Sequence, residues 1–236
     1  MKTHFKILSI AGLALPLLLS SCVVEDPGPI QYTERTYPIS DFDRLDMGSA
    51  FQIEVVQGST FGVKATGDLR NIDDLDVFRS GSTLIVQYSR NATRRHETRI
   101  FITMPDLKEA NFSGASKSLV EGFNGNNELK FTLSGASFAQ LSADHSSLHL
   151  DVSGASKLVL NGEGESLWAM VTGASELAGF DYPVSEARIE ASGASVGKVT
   201  VSTELEAIAS GASTVRYRGN PSVSSNVSGG SSVRKD

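Results

Sequence analysis

The sequence predicts an all-β protein, a single-stranded right-handed parallel β-helix (β-solenoid) with coils of about 20 residues and two or three short strands per coil. Three observations predict it. First, Ser113-Gly114-Ala115-Ser116 recurs from Ser134, Ser153, Thr172, Ser192 and Ser210 and, as Ser-Gly-Gly-Ser, from Ser228, at steps of 21, 19, 19, 20, 18 and 18 residues. A period of this length is that of a solenoid, whose unit cannot bury its own apolar face alone. Second, the flanking residues alternate with period two. One place before each tetrapeptide stand Phe112, Leu133, Val152, Val171, Ala191, Ala209 and Val227, and the rhythm resumes beyond the corner at Ala139 and Leu141 or Leu158 and Leu160. That is a strand with one buried face. Third, Gly in second place suits a backbone that turns with φ > 0, and Ala in third place is small where the corner is narrow. Leucine-rich repeats share the period, but their Asn and helical return are missing, so each coil reads as two short strands joined at a Gly-Ala corner. With strands about 4.8 Å apart, seven coils make a rod segment about 29 Å long.

Along the chain, residues 1–21 read as a lipoprotein signal peptide: Lys2 and Lys6 are its positive region, and Ile7 to Leu19 its apolar run, interrupted by Pro16. That run falls short of the ~20 residues a membrane-spanning helix needs. The next residues, Leu19-Ser20-Ser21-Cys22, resemble the bacterial lipobox, whose cysteine is acylated and becomes the mature N-terminus. Cys22 is the single cysteine of the chain, which excludes an internal disulfide and a multi-cysteine metal site. Each CH₂ of an attached chain adds ~0.8 kcal/mol of membrane affinity, so Cys22 reads as the tether to a membrane. Val23 stands where inner-membrane lipoproteins carry a retention Asp, and Glu25-Asp26 resembles the acidic export signals of surface-exposed Bacteroidetes lipoproteins. The expected location is therefore the cell envelope, as a surface-exposed outer-membrane lipoprotein. Residues 22–35, with Pro27, Gly28 and Pro29 and no periodicity, read as the lipidated cysteine and a flexible linker.

Residues 36–236 read as one solenoid domain. From Thr36 to Asp106 the runs Phe51–Val56, Phe61–Ala65, Thr83–Tyr88 and Arg99–Met104 alternate like strands, separated by turns at Gly58, Gly67 and Gly81. They read as larger first coils of the same solenoid, with Asp68–Asp76 as a short helix or loop. At the other end Val227–Asp236 completes only a partial coil. An uncovered coil presents unpaired strand edges and apolar interior, so a homo-oligomer formed through the exposed solenoid end is expected.

The order of motifs then carries a resemblance. Ile39-Ser40-Asp41-Phe42-Asp43-Arg44-Leu45, followed by Phe51-Gln52-Ile53-Glu54-Val55-Val56-Gln57-Gly58 and by Met104-Pro105-Asp106-Leu107 leading into the Ser-Gly-Ala-Ser repeats, resembles the putative auto-transporter adhesin, head GIN domain family, a domain of unknown function. The resemblance covers nearly all of residues 36–236. It implies a secreted or lipid-anchored β-helical protein of the Bacteroidetes type and supplies no catalytic residue.

Charge and composition narrow the function. The chain carries 21 Lys and Arg against 27 Asp and Glu, a net charge of −6, with no basic block. Nucleic-acid binding and a basic membrane-surface patch are disfavoured, because both rest on clustered cations. Four histidines, of which His4 belongs to the signal, are too few for a recognisable zinc site; no metal and no cofactor is expected. Asp73, Asp74 and Asp76 read as a solvated loop rather than a calcium site. On outward strand positions, Lys130, His149, Trp168 and Arg188 share one row. Trp168, the single tryptophan, beside Lys130 and Arg188 gives a candidate ligand-binding site for sugars or a protein, or else it covers the flank of a coil. Asp151 and Glu190 share the next row two coils apart, roughly 9.6 Å by strand spacing, the upper limit for an inverting glycosidase pair. The leading hydroxyls Ser113, Ser134, Ser153, Thr172, Ser192, Ser210 and Ser228 form a ladder at the corners whose expected role is structural, through local bonds to the backbone. The reading is a non-catalytic envelope lipoprotein that binds glycans or proteins at the cell surface. A glycan-processing enzyme and a structural, periplasm-facing envelope protein are the alternatives.

Overall fold

A computed structural model of the chain describes residues 28–236; the signal peptide, Cys22 and the first part of the linker lie outside the described residues. The described chain is a β-solenoid of about 7 turns of about 19 residues. Its regular part is built from five long strands, β9 (Lys117–Leu133), β10 (Phe138–Val152), β11 (Lys157–Val171), β12 (Glu176–Ala191) and β13 (Val196–Ala209), continued by β14 (Thr214–Arg218), β15 (Ser222–Val227) and β16 (Ser232–Lys235). Each long strand leaves one tetrapeptide corner, bends, and returns to the next. It pairs in parallel with the strands before and after it, so that Ala139 lies beside Leu158 and Leu150 beside Ala169. From β9 to β11 the bend opposite the corner keeps its ladder, with register shifts such as that between Ser142 and Ala143, whereas between β11 and β12 pairing lapses at residues 162–165; the coils of β9 to β13 are each one bent strand rather than two separate ones. The legs that follow the corners form one face of the rod, here called face A. The legs that precede them form face B.

Burial follows the alternation. Phe112, Leu133, Val152, Val171, Ala191 and Ala209 are all buried, as are Phe131, Leu150, Ala169, Ile189 and Ala207 two places earlier. Residues of adjacent rows also meet between coils; the Phe112 and Phe131 rings, one row apart on neighbouring strands, meet edge to face with centroids 5.5 Å apart, the arrangement aromatic quadrupoles favour. The last coil departs from this pattern. Every residue of β15 is exposed, including Val223 and Val227 on the inward register, because among the described residues no further strand lies over it.

The N-terminal part is more complex than a run of larger coils. Strands β2 (Arg44–Met47) and β3 (Gln52–Gln57) form a coil lying directly against the repeats, β2 on β8 (Glu109–Phe112) and β3 on β9. Strands β6 (Thr83–Tyr88) and β7 (Thr98–Met104), although later in sequence, form the coil outside it, with β6 on β2 and β7 on β3. Spatial order and chain order thus cross. The end is closed by antiparallel strands: β4 (Gly62–Asp68) pairs with β7, β1 (Tyr32–Tyr37) with β4, and β5 (Leu75–Ser80) with β6. The segment 36–106 shares the sheets of the solenoid, as its alternation predicts, but it forms a cap rather than sequential coils. The expected linker is shorter too, since residues 32–35 belong to β1, where Arg35 donates to Asp73 at 2.6 Å. Between β4 and β5, a single helical turn, α1 (Leu69–Ile72), has Asp68 as its N-cap, accepting from the Arg70 N–H.

Candidate functional site

The corners set the geometry of everything outside them. In each tetrapeptide the glycine takes φ between 65° and 79° and stacks on the glycine one coil away. A Cβ on Gly193 would lie 2.6 Å from the Gly173 carbonyl oxygen, so both backbone angle and space require glycine. From Ala155 onward the third residue donates its N–H to that glycine carbonyl, at 2.8 Å for Ala155 on Gly135. The trailing hydroxyls point inward: Ser116, Ser137, Ser156, Ser175, Ser195 and Ser213 are buried. Several bond the backbone; Ser175 Oγ donates to Thr172 O at 2.6 Å and Ser195 Oγ to Val171 O at 2.8 Å. The leading residues Ser113, Ser134, Ser153, Thr172, Ser192 and Ser210 are half-buried and Ser228 exposed, each joined to the previous coil through its N–H, as Ser134 N to Phe112 O at 3.0 Å.

An eighth corner escapes the repeat search. Gly48-Ser49-Ala50-Phe51 occupies the position equivalent to Ser113–Ser116, with Met47 beside Phe112 and Gln52 beside Lys117. Ser49 and Ala50 both take positive φ, 62° and 59°, and Phe51 is buried where later corners bury serine. Ser49 is tolerated because the coil outside it, β6–β7, turns through the long segment 89–97 and stacks no tight corner on it.

On face B the structure brings the predicted row together. Lys130, His149, Trp168, Arg188 and Glu206 lie in register on consecutive strands. The His149 imidazole stacks on the Trp168 indole, centroids 3.9 Å apart and tilted 34°. One ring face of the tryptophan is therefore already covered by the imidazole. Arg188 is held by Glu206 and by Glu190, the latter at 2.6 Å, and these carboxylates raise its pKa. Lys130 lies 3.5 Å from Glu128. Asp151 and Glu190 stand in one row with Met170 between them, and Glu190 is spent on Arg188.

Face A carries a groove the sequence reading did not single out. Arg99 of β7, Gln52 of β3, Lys117 of β9 and Phe138 of β10 are neighbours in one row; Phe101, Glu54, Leu119 and Gln140 are neighbours in the next. All eight line a groove of about 400 Å³, within the ~300–1,000 Å³ of small-ligand sites. Phe138 is 40% exposed, and the Lys64 ammonium lies 5.1 Å from the Phe101 ring centroid. Gln52 Nε2 donates to Glu97 Oε1 at 3.2 Å. Among the described residues, no carboxylate pairs with Arg99 or Lys117. A large aromatic on an outward strand position, Phe138 four places past Ser134, was the available signal. That Arg99 and Gln52 join it depends on the crossed order of the cap strands, which no local pattern encodes.

The remaining candidates have structural partners. Asp74 is buried and bound by Arg90 at 2.6 Å and by Arg94, whose guanidinium lies 3.6 Å from the Tyr88 ring centroid; Asp73 holds Arg35. These carboxylates are committed to arginine. His96 Nε2 is 3.9 Å from Asp68. His145 is buried at the far bend, with Nδ1 3.2 Å from Asn127 O and Nε2 without a partner. Beside it the Tyr182 hydroxyl donates to His145 O at 3.1 Å, and burial pushes that phenol up to about 12.

Comparison with known proteins follows the same lines. The model of the family described as putative auto-transporter adhesin, head GIN domain matches residues 41–221. The chain is similar to the solved structure of a putative adhesin from Bacteroides fragilis, with 16% identity, 87% of this chain and 97% of that one covered, and a TM-score of 0.77. It is similar to a putative adhesin from Parabacteroides distasonis, with 14% identity, coverage of 89% and 98%, and a TM-score of 0.70. A further structure from Parabacteroides distasonis, described as a putative lipid binding protein, has 20% identity, coverage of 87% and 96%, and a TM-score of 0.69. At these identities the likeness shows the fold. No curated protein matches the chain.

Proposed function

This chain belongs to the putative auto-transporter adhesin, head GIN domain family, and from that premise we propose that it is a non-catalytic binding protein of the cell envelope. In this reading it is tethered through lipid on Cys22 and displayed at the outer surface, where it holds glycans or proteins along the faces of a rigid rod. The family is described as an adhesin domain, not as an enzyme. The observation that carries the proposal is the register of the outward rows. On face A one row runs from Arg99 through Gln52, Lys117, Phe138, Lys157, Glu176, Val196 and Thr214 to Ser232, one side chain per strand. Such a surface offers many shallow contacts at fixed spacing, which suits an extended polymer and gains from multivalent display. A glycosidase reading is less well supported, because Glu190 already serves Arg188.

Location is the first test. On intact cells, added protease is expected to cleave the wild-type protein, and Cys22→Ala is expected to release it from the membrane fraction. Full protection until the outer membrane is opened would overturn surface display and favour a periplasm-facing structural role. Turnover of a polysaccharide that disappears in Asp151→Asn would overturn the non-catalytic assignment.

A further inference from the structure

The groove on face A points to a more specific ligand, and we infer that it binds carboxylate-bearing saccharides, with Phe138 as the stacking platform and Arg99 and Lys117 as the anion contacts. The inference rests on the reading of the protein as a binder and adds the site and the ligand class. Several outward cations are engaged by carboxylates: Lys157 by Glu176, Lys64 by Glu34, Arg188 by two glutamates. Arg99 and Lys117 break that pattern in a chain of net charge −6. They lie two strands apart with Gln52 between them, roughly 9.6 Å at ordinary strand spacing. Two uncompensated cations in an acidic protein define a local field that attracts an anion and repels neutral competitors little.

The rest of the groove selects the kind of anion. Phe138 presents an exposed ring beside Lys117, and Phe101 and Leu119 add apolar surface one row on. Aromatic rings bind the apolar faces of pyranoses, and a pyranose ring is close to one strand spacing (about 4.8 Å) in length. Gln140 and Glu54 have no side-chain partner among the described residues and supply donor and acceptor groups for sugar hydroxyls. The groove lies in the middle of a sheet, from β7 to β10, where strand edges are already paired. A peptide therefore cannot add to it as a strand.

The test is calorimetric titration of the full chain, purified in detergent, with oligogalacturonate and with the same oligomer methyl-esterified, which removes the charge and keeps the ring. Expected are a preference of about tenfold or more for the acid form and a loss of about tenfold in the Arg99→Ala/Lys117→Ala double variant. Phe138→Ala is expected to weaken both forms, whereas Ser224→Ala, exposed on face B, leaves both unchanged. Equal binding of acid and ester, or full binding by the double variant, would overturn the assignment. So would equal binding of oligoglutamate, which would make the site one for acidic peptides. A dimer in sedimentation that Phe138→Ala dissociates would give the face to a second copy of the chain. Binding to neutral glycans or whole cells that survives every groove variant would sink this site while leaving the broader proposal intact.

Discussion

The cap, residues 28–108, and the coils after it bury polar groups in opposite ways. The cap encloses two aspartates, Asp68 and Asp74, each bound by arginine. In the coils from residue 109 onward the buried polar side chains are serines and His145. The difference follows from stacking. A coil position is repeated every strand spacing, so an ionised group inside would face its like at about 4.8 Å in a low-dielectric core, where repulsion is severe. A hydroxyl can repeat without that cost. A cap position occurs once, and there a carboxylate with a dedicated arginine is admissible, at the cost of making stability depend on both partners.

The largest effect that would break this contrast lies in the glycine column. Gly193→Val puts a β-branched side chain at φ 79° with its Cβ 2.6 Å from the Gly173 carbonyl. Backbone strain and overpacking together should destabilise by about 2–5 kcal/mol, read as a lowered urea midpoint by fluorescence of Trp168, which sits in the coils. Gly81 in the cap has similar φ, 60°, but no atom within 4 Å of its added Cβ. Gly81→Ala should therefore cost only the backbone share, about 1 kcal/mol. Equal losses would show that the column is limited by backbone angle alone and that stacking adds nothing.

Next in size is the cap's charge. Asp74→Asn keeps the shape but removes a buried anion bonded to Arg90 and Arg94, and should cost about 1.5–3 kcal/mol, the range for hydrogen bonds to charged groups. The same logic gives a pH signature. The Arg70 side chain, together with the Gln31 and Arg70 N–H groups, holds Asp68 well below the usual carboxylate range, and Arg90 lowers Asp74. Because the folded values are depressed, their stabilisation is complete above the ordinary aspartate pKa of about 4 and is lost as pH falls through the folded values. Hydrogen exchange should show cap amides losing protection between about pH 4 and pH 2 while Trp168 emission stays native. Loss of both at the same pH would mean that cap and coils unfold as one unit.

What the sequence revealed divides along the same line. The coils were legible because every constraint is written seven times: a glycine that must turn, an alternation that must bury one face, a small residue at a narrow corner. The first corner was missed because its position under the long β6–β7 segment relaxes the constraint, so Ser49 replaces glycine and Phe51 replaces serine. The crossed order of the cap is a long-range pairing that no short pattern records. Of the candidate sites, the face B row was readable from register alone, since its members lie on consecutive repeats. The stacking of His149 on Trp168 was not, because it depends on side-chain rotamers. The face A groove combines two repeat strands with two cap strands and was half visible at most.

The smallest effect asks whether the buried hydroxyls act singly or as a chain. Near the cap they touch one another: Ser116 Oγ donates to Ser137 Oγ at 3.3 Å, and Ser156 Oγ accepts from the Ser137 N–H at 3.3 Å. Farther along, Ser195 and Ser213 bond the carbonyls of Val171 and Ala191 at 2.8 and 3.0 Å. Each serine-to-alanine change should cost about 0.5–1.5 kcal/mol, one net hydrogen bond. The pairs should differ. Ser195→Ala with Ser213→Ala is expected to be additive within about 0.5 kcal/mol, because the two share no partner, whereas Ser116→Ala with Ser137→Ala should show a coupling of at least that size. Additivity in both pairs would mean that the inner ladder is a set of independent corner bonds, and that proximity to the cap does not change how a corner is held.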